Sequence, residues 1–301
     1  MTSIVKGGTA MRKPAALHMC AVLAATAAVL AAGWACAATD EDVEREGWGL
    51  VWSEEFDYDG HPDSEKWNYE YGFIRNQEAQ YYTRERLENA RVEDGRLIIE
   101  AHKEEYPNAS YEEGSGHWAR SREHAEYTSA SLTTENRQHF QYGRIEVRAR
   151  LPQGVGVWPA IWMLGENRRD VGWPRCGEID IMEFVGFDPN TIHANVHTQA
   201  YNHSIGTGQG DSIQAEAPWD SFHIYGIEWD SERIDFFFDD EVYFTYEKEE
   251  DAGEAEWPFD QPFYLILNVA IGGAWGGQQG IDDDIFPQRM EIDYVRVYER
   301  E

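Results

Sequence analysis

Hydrophobic and polar residues alternate with a period of two along many short segments of this chain. RIEVRARL (144–151) and TIHANVHT (191–198) do so without a break, which is typical of a strand with one buried and one polar face. Similar β-branched and aromatic segments, separated by turn residues, continue to EIDYVRVY near the chain end, and no segment has a long helical period. The pattern predicts an all-β fold in which two antiparallel sheets form a jelly-roll β-sandwich.

One acidic segment departs from this alternation. In EIDIME, Glu178 and Asp180 share a face, but an unbroken strand would turn Glu183 to the opposite, buried face. An unpaired carboxylate on that face costs several kcal/mol. A β-bulge at Ile181 or Met182 would add one residue and return Glu183 to the face of the other two acids. The segment therefore predicts a bulged strand with three carboxyl groups in one row.

These carboxyl groups indicate glycosidase chemistry. Two glutamates that lean over the shorter Asp180 can approach the ~5–5.5 Å carboxyl separation of retaining glycosidases. At that distance each raises the pKa of the other, so one stays protonated as an acid while the other ionises as a nucleophile. Tryptophan rings bind the apolar faces of sugars, and four lie near the segment or in a glycine-rich loop: Trp158, Trp162, Trp173 and Trp275. A solvated acidic edge strand is the alternative interpretation.

Length and charge narrow the class of protein. The chain has 301 residues, of which 42% are hydrophobic, enough to bury one large β domain. Its 56 acidic and 25 basic residues give a formal net charge of −31. A field of this sign repels nucleic acid and disfavours polyanionic substrates, so we predict a neutral partner and no nucleic-acid binding. A heavily hydrated surface suited to high salt also accounts for the acidity.

The first residues have the pattern of a targeting segment. Basic residues precede the apolar run AVLAATAAVLAAGWACA, which ends in small residues, so we predict a secretory signal peptide over residues 1–38. Residues 39–301 are then a single catalytic domain of a secreted protein, extracellular or periplasmic. A lipoprotein acylated at Cys36 is the alternative, and we expect no other membrane attachment. Removal of the signal leaves Cys176 as the only cysteine, which excludes an internal disulfide.

The chain resembles the laminarinase-type endo-β-1,3-glucanases of glycoside hydrolase family 16. The matching segments are WSEEFD, NQEAQYYT, YTSASLTT, YGRIEVRARLP, VWPAIWMLG, GEIDIMEFVG, IHANVHT, YGIEW, FYLILNVAIGG and EIDYVRVY. The resemblance implies a concanavalin-like jelly roll whose concave sheet forms an open substrate cleft. It also implies retaining endo-hydrolysis of β-1,3-glucan, with Glu178 as the nucleophile, Asp180 as its helper and Glu183 as the acid/base.

The same resemblance implies residues outside the acid motif. The expected substrate contacts are Asn76, Glu146, Arg148, Trp158, Trp162, Trp173, Asn195, His197, Asn268 and Trp275. A structural calcium ion is expected on the convex side, at Glu55, the carbonyl of Gly95, and Asp293. The chemistry requires no cofactor, and we expect a monomer that binds a neutral β-glucan polysaccharide.

Other interpretations stay open at this point. A mixed-linkage β-1,3-1,4-glucanase comes second, because such enzymes typically lack the extra residue in EIDIME. A non-catalytic β-glucan-binding protein on the same fold is a further alternative, although such relatives have lost the catalytic glutamates. A thiol hydrolase built from Cys176 and His197 is disfavoured because nearby carboxylates raise the pKa of the thiol. Zinc chelation by His193 and His197 is disfavoured because the two residues lie ~13 Å apart on a strand.

Overall fold

The structure is a computed structural model that describes residues 45–301 of the chain. The predicted signal peptide, residues 1–38, and the alternative acylation site Cys36 lie outside the described residues. In the part of the chain that is described, no helix has the length and apolar character needed to cross a membrane. The strands, numbered in chain order, belong to two sheets.

The larger sheet has ten strands. Its order is β15 (Glu241–Glu247), β14 (Arg233–Phe238), β13 (His223–Trp229), β8 (Gly143–Arg150), β17 (Gln288–Arg300), β5 (Arg96–Pro107), β6 (His124–Ser129) and β3 (Gln80–Tyr82). In addition, β1 (Trp48–Glu54) pairs with β17, and β4 (Ala90–Glu93) pairs with β5. Its strand pairs are antiparallel except for the parallel pair of β3 and β6.

The smaller sheet has seven strands, all paired antiparallel. Its order is β12 (Gln209–Gln214), β11 (Thr191–His197), β10 (Glu178–Glu183), β9 (Val157–Gly165), β16 (Phe263–Ile271), β7 (Ser131–Thr133) and β2 (Asn68–Tyr69). One helix of four residues, α1 (Arg168–Val171), and two short 3-10 turns, His203–Ile205 and Asp283–Ile285, complete the described elements. The predicted all-β, two-sheet jelly-roll fold is confirmed.

The main hydrophobic core lies between the two sheets. In β16, Leu265, Leu267 and Val269 are 0% exposed and belong to this core. The alternate residues Tyr264 and Ile266 belong to a separate, smaller cluster on the other face of the sheet. All nine residues of β16 are therefore buried, which explains why this strand is an almost continuous apolar run rather than an alternating one.

Strand β8 alternates as predicted, but its polar face does not lie beside the three acids. Ile145 and Val147 are buried in the main core. Glu146 and Arg148 therefore project from the outer face of the ten-stranded sheet, whereas the acidic segment belongs to the seven-stranded sheet. The prediction that Glu146 and Arg148 line the substrate cleft is wrong, because alternation defines the two faces of a strand but not the sheet to which the strand belongs.

Glu146 instead takes part in a buried ion cluster. Its Oε1 lies 2.6 Å from Nε of Arg45 and 2.5 Å from Nε of Arg144. Arg144 also pairs with Glu228 at 2.5 Å and covers the ring of Phe237 at 3.9 Å. Because Glu146 is 0% exposed, its charge depends on these two arginines for compensation.

Substitution of Glu146 tests this structural role. We expect Glu146→Ala to lower the free energy of unfolding by about 3 kcal/mol, because Arg45 and the buried Arg144 then lose the carboxylate that they share. Glu126→Ala, at an exposed position of β6, is the matched control and should change stability by no more than about 0.5 kcal/mol. Denaturant unfolding measures both variants, and equal stabilities would contradict the assignment.

Candidate active site

A cleft of about 620 Å³ lies on the outer face of the seven-stranded sheet. Side chains from β9, β10, β11 and β16 line it, together with loops before β3 and after β16. The predicted residues that line this cleft are Glu178, Asp180, Glu183, Asn76, Trp158, Trp162, Trp173, Asn195, His197, Asn268 and Trp275. The structure thus brings the three acids and eight of the ten expected substrate contacts together, while their contact with a sugar stays a prediction.

The three acids share the cleft because β10 contains a bulge. Asp180 and Met182 pair with successive residues of β9, so one extra residue of β10 lies between them. Against β11 the register shifts between Asp180 and Glu183. Ile181 is 1% and Met182 0% exposed, both in the main core, and Glu183 returns to the cleft. The prediction of a bulge at Ile181 or Met182 is confirmed.

Two donors hold the carboxyl group of Glu183. Nε1 of Trp158 donates to Oε1 and Nδ2 of Asn195 donates to Oε2, each at 3.1 Å. Burial raises the pKa of Glu183 to about 7, while these two hydrogen bonds act in the opposite direction. Glu183 can therefore gain and lose a proton near neutral pH, as a general acid and base must.

Burial also raises the pKa of the other two acids. It raises the pKa of Glu178 to about 8, and the charge of Glu183 adds to the rise. The positive charge of Arg75 and a hydrogen bond from Trp173 oppose it. Burial likewise raises the pKa of Asp180 well above its usual range, with further contributions from both glutamates. At neutral pH the row therefore holds protons rather than three full negative charges.

The sequence analysis missed a cation in the cleft, Arg75. Its guanidinium group lies 4.8 Å from the ring centroid of Trp162 and forms an ion pair with Glu70. Its charge favours the ionised form of Glu178. The available signal was its position directly before Asn76 in RNQEAQYYT. Further lining residues that went unassigned are Glu78, Arg168, His193 and His203.

Hydrogen bonds and ring contacts fix the tryptophan platforms. Nε1 of Trp162 donates to Oδ1 of Asn268 at 2.8 Å, and Nδ2 of Asn268 donates to the hydroxyl of Tyr82 at 3.1 Å. Trp158 meets Trp275 edge to face, with 5.6 Å between ring centroids. Rings held in this way need no reordering before they receive the apolar face of a sugar, which lowers the entropic cost of binding.

The thiol and two-histidine alternatives gain no support. Cys176 is fully buried, and burial raises the pKa of its thiol to about 11, so little thiolate forms at neutral pH. The ring of His193 lies 5.0 Å from that of Trp275. His197 is instead directed at Asp180, with Nε2 3.3 Å from Oδ2. The two histidines thus have different partners.

The expected calcium ligands lie away from the cleft. Arg296 donates to both carboxylate oxygens of Glu55 at 2.9 Å, and Nη1 of Arg148 lies 2.5 Å from Oδ2 of Asp293. Gly95 follows β4 with a φ of 71°, in the turn to β5. Because arginines already neutralise both carboxylates, these side chains as placed do not fit a calcium cage.

Comparison with known proteins agrees with this fold and site. Residues 77–296 match the family model of the glycosyl hydrolases family 16. A β-glucanase of Rhodothermus marinus is 52% identical over 260 residues, which cover 83% of this chain and 85% of that protein. The solved laminarinase from Rhodothermus marinus has a TM-score of 0.77 and 50% identity, over 84% of this chain and 98% of that one. SCLam, a solved non-specific endo-β-1,3(4)-glucanase, has a TM-score of 0.76 and 44% identity, over 85% and 93%.

The two-sheet fold, with paired glutamates in an aromatic cleft, defines a glycoside hydrolase. The chain belongs to glycosyl hydrolase family 16, and its similarity to laminarinases extends over most of its length.

The hydrogen bond from Trp158 to Glu183 generates a pH prediction. Trp158→Phe keeps the ring but removes the donor that favours ionised Glu183, so the pKa of Glu183 should rise further. If activity needs protonated Glu183, the alkaline limb of the kcat/KM profile should move upward by about 0.5–1 pH unit, since one hydrogen bond contributes about 1 kcal/mol. Trp275→Phe, which has no hydrogen bond to an acid, is the control. An unmoved limb in Trp158→Phe would contradict the role of the donor.

Proposed function

We propose that this protein is a retaining endo-hydrolase of β-1,3-glucan that works by double displacement. The observation that carries the proposal is the bulged strand β10, which presents Glu178 and Glu183 on one face of a tryptophan-lined cleft. This reaction requires two carboxyl groups, one on each side of the glycosidic bond. The steps use only carboxyl groups and water, so no cofactor is required.

The reaction would proceed in two displacements. In the first, the Glu178 carboxylate attacks the anomeric carbon while the Glu183 carboxylic acid gives its proton to the departing glycosidic oxygen. In the second displacement, ionised Glu183 takes a proton from a water molecule while the water oxygen attacks the anomeric carbon, and the ester bond to Glu178 breaks. Glu183 regains its proton and Glu178 its negative charge, so both carboxyls return to their starting states.

The order of the raised pKa values needs an explanation under these roles. Burial raises the pKa of Glu178 to about 8 and that of Glu183 to about 7, which is opposite to the order expected of a nucleophile and an acid. The three carboxyl groups interact closely, so their protons are shared along the row rather than fixed to one residue. We assign the roles by position in the motif, and Arg75 supports them because its charge favours ionised Glu178.

Glu178→Gln and Glu183→Ala separate the two roles. Glu178→Gln removes the nucleophile, so hydrolysis should fall by about 10³-fold or more while glucan still binds. Glu183→Ala should retain turnover of an aryl glycoside with a good leaving group, and added azide should accelerate it, because the glycosyl-enzyme still forms. Exposed Glu126→Gln is the control. Strong residual hydrolysis by Glu178→Gln, or no azide rescue in Glu183→Ala, would refute the corresponding role.

The linkage preference is supported by the comparisons and by the length of the acid motif. Two similar proteins are named a β-glucanase and a laminarinase, and SCLam is named a non-specific endo-β-1,3(4)-glucanase. EIDIME also carries the extra residue that accompanies the laminarinase-like motif.

We expect laminarin to be cleaved faster than lichenan, and agarose not to be cleaved at all. Faster cleavage of lichenan would favour the mixed-linkage alternative, and no new reducing ends on either glucan would favour a binding protein.

Export is a further part of the proposal. The N-terminal pattern supports a secreted protein cleaved after residue 38, with acylation at Cys36 as the alternative, and mass spectrometry of the exported protein distinguishes them. Calcium at Glu55, Gly95 and Asp293 is supported by sequence resemblance alone, and the ion pairs to arginine count against it. If calcium does bind there, a chelator lowers the melting temperature, and an unchanged melting curve refutes the site.

A further inference from the structure

Three side chains in the cleft form a compact triangle of metal-ligating atoms. Glu178, Asp180 and His197 each offer one ligand atom, and these atoms lie within 4.8 Å of one another. Nε2 of His197 is 3.3 Å from Oδ2 of Asp180 and 3.7 Å from Oε1 of Glu178. Tetrahedral zinc with bonds of about 2.0–2.2 Å has ligand-to-ligand edges of about 3.4 Å. The two edges at His197 therefore nearly match one face of such a site, and the third edge is no longer than 4.8 Å.

An unpartnered buried oxygen points to a ligand at this place. Oδ2 of Asp180 has no hydrogen-bond partner, although Asp180 is only 3% exposed. Buried carboxyl oxygens normally have a donor, because an unsatisfied one costs free energy. The same oxygen lies 3.3 Å from Nε2 of His197, closer than Oε1 of Glu178 at 3.7 Å, so it faces the other ligands of the triangle.

The surrounding charge also favours a cation. Glu183 lies in the same row, and its charge adds to the repulsion that Asp180 experiences. A divalent ion would offset that repulsion, with Arg75 and Arg168 as opposing positive charges in the cleft. Nδ1 of His197 has no partner, so the ring lacks the usual outer support of a metal-bound histidine. This predicts binding weaker than at a structural zinc site.

We propose that Glu178, Asp180 and His197 form a binding site for a zinc-class divalent ion, and that the bound ion blocks hydrolysis. The histidine nitrogen and two carboxylate oxygens supply three ligands, and the cleft leaves the fourth position to water. Zinc and substrate would exclude each other, because the ion occupies the carboxylate of Glu178. This last point rests on the proposed role of Glu178 as nucleophile, whereas the binding site itself does not.

Calorimetric titration of zinc into the chelator-treated protein tests the site directly. The unsubstituted protein should bind one zinc ion, and cobalt should give the strong visible absorption of tetrahedral coordination. Loss of a residue that only supports a metal ligand weakens metal binding by about 10-fold or more. His197→Ala removes a ligand itself and should therefore weaken zinc binding by more than about 10-fold. Asp180→Asn, which preserves shape, provides a second variant in case His197→Ala fails to fold.

Two controls isolate the triangle from its neighbours. His193→Ala removes another cleft histidine and leaves the three ligands in place, so zinc affinity should stay nearly unchanged. Glu183→Gln also leaves the ligands in place but removes a nearby negative charge, so its loss of zinc affinity should be smaller than that of His197→Ala. Equal loss in His193→Ala and His197→Ala, or no loss in His197→Ala and Asp180→Asn, would overturn the site. These readouts do not depend on hydrolysis, so they remain decisive even if the proposed function fails.

Inhibition of the unsubstituted enzyme tests the consequence. Zinc should raise the KM for laminarin without lowering kcat, and a chelator should restore activity, because the ion and the sugar compete for Glu178. Zinc binding that is lost in His197→Ala but leaves hydrolysis unaffected would overturn the inhibition and contradict the role of Glu178 as nucleophile, while the titrations decide the binding site.

Discussion

The arrangement of the three acids in the cleft depends on one extra residue in strand β10. A strand repeats every two residues, so Glu178 and Glu183 can share a face only if one residue between them does not count in the alternation. The register shifts on both sides of β10 show where this happens, between Asp180 and Glu183. Ile181 and Met182 then both contribute to the core, which stabilises the bulge by apolar burial. The position of the acid pair is thus determined by packing behind the sheet.

The cost of this arrangement lies in its electrostatics. Three carboxyl groups are held in a buried row, and burial together with mutual repulsion raises the pKa of each. Trp158 and Asn195 partly offset the cost at Glu183, and Arg75 does so at Glu178. No comparable donor satisfies Oδ2 of Asp180 among the described residues. This unsatisfied oxygen is one of the three ligands of the cation site that we propose.

The sequence predicts the faces of strands better than it predicts their neighbours. Alternation correctly predicted the sandwich and the bulge, because both follow from a local period of two. The substrate contacts implied by the family resemblance were wrong at Glu146 and Arg148, whose strand has the expected polar face but belongs to the other sheet. Strand order is decided by contacts between distant segments, which a local pattern does not contain. The same limit hid Arg75, whose importance comes from its position over Trp162.

Trapping the covalent intermediate tests the central claim most directly. A 2-fluoro glucoside with a good leaving group should form a stable ester with the enzyme. Fluorine slows both displacements, but the good leaving group keeps the first one fast, so the ester accumulates. Peptide mass spectrometry should then find the sugar on Glu178 alone, and the label should be absent from Glu178→Gln. A label on Glu183 or on another residue, or a first product of inverted anomeric configuration, would contradict the account.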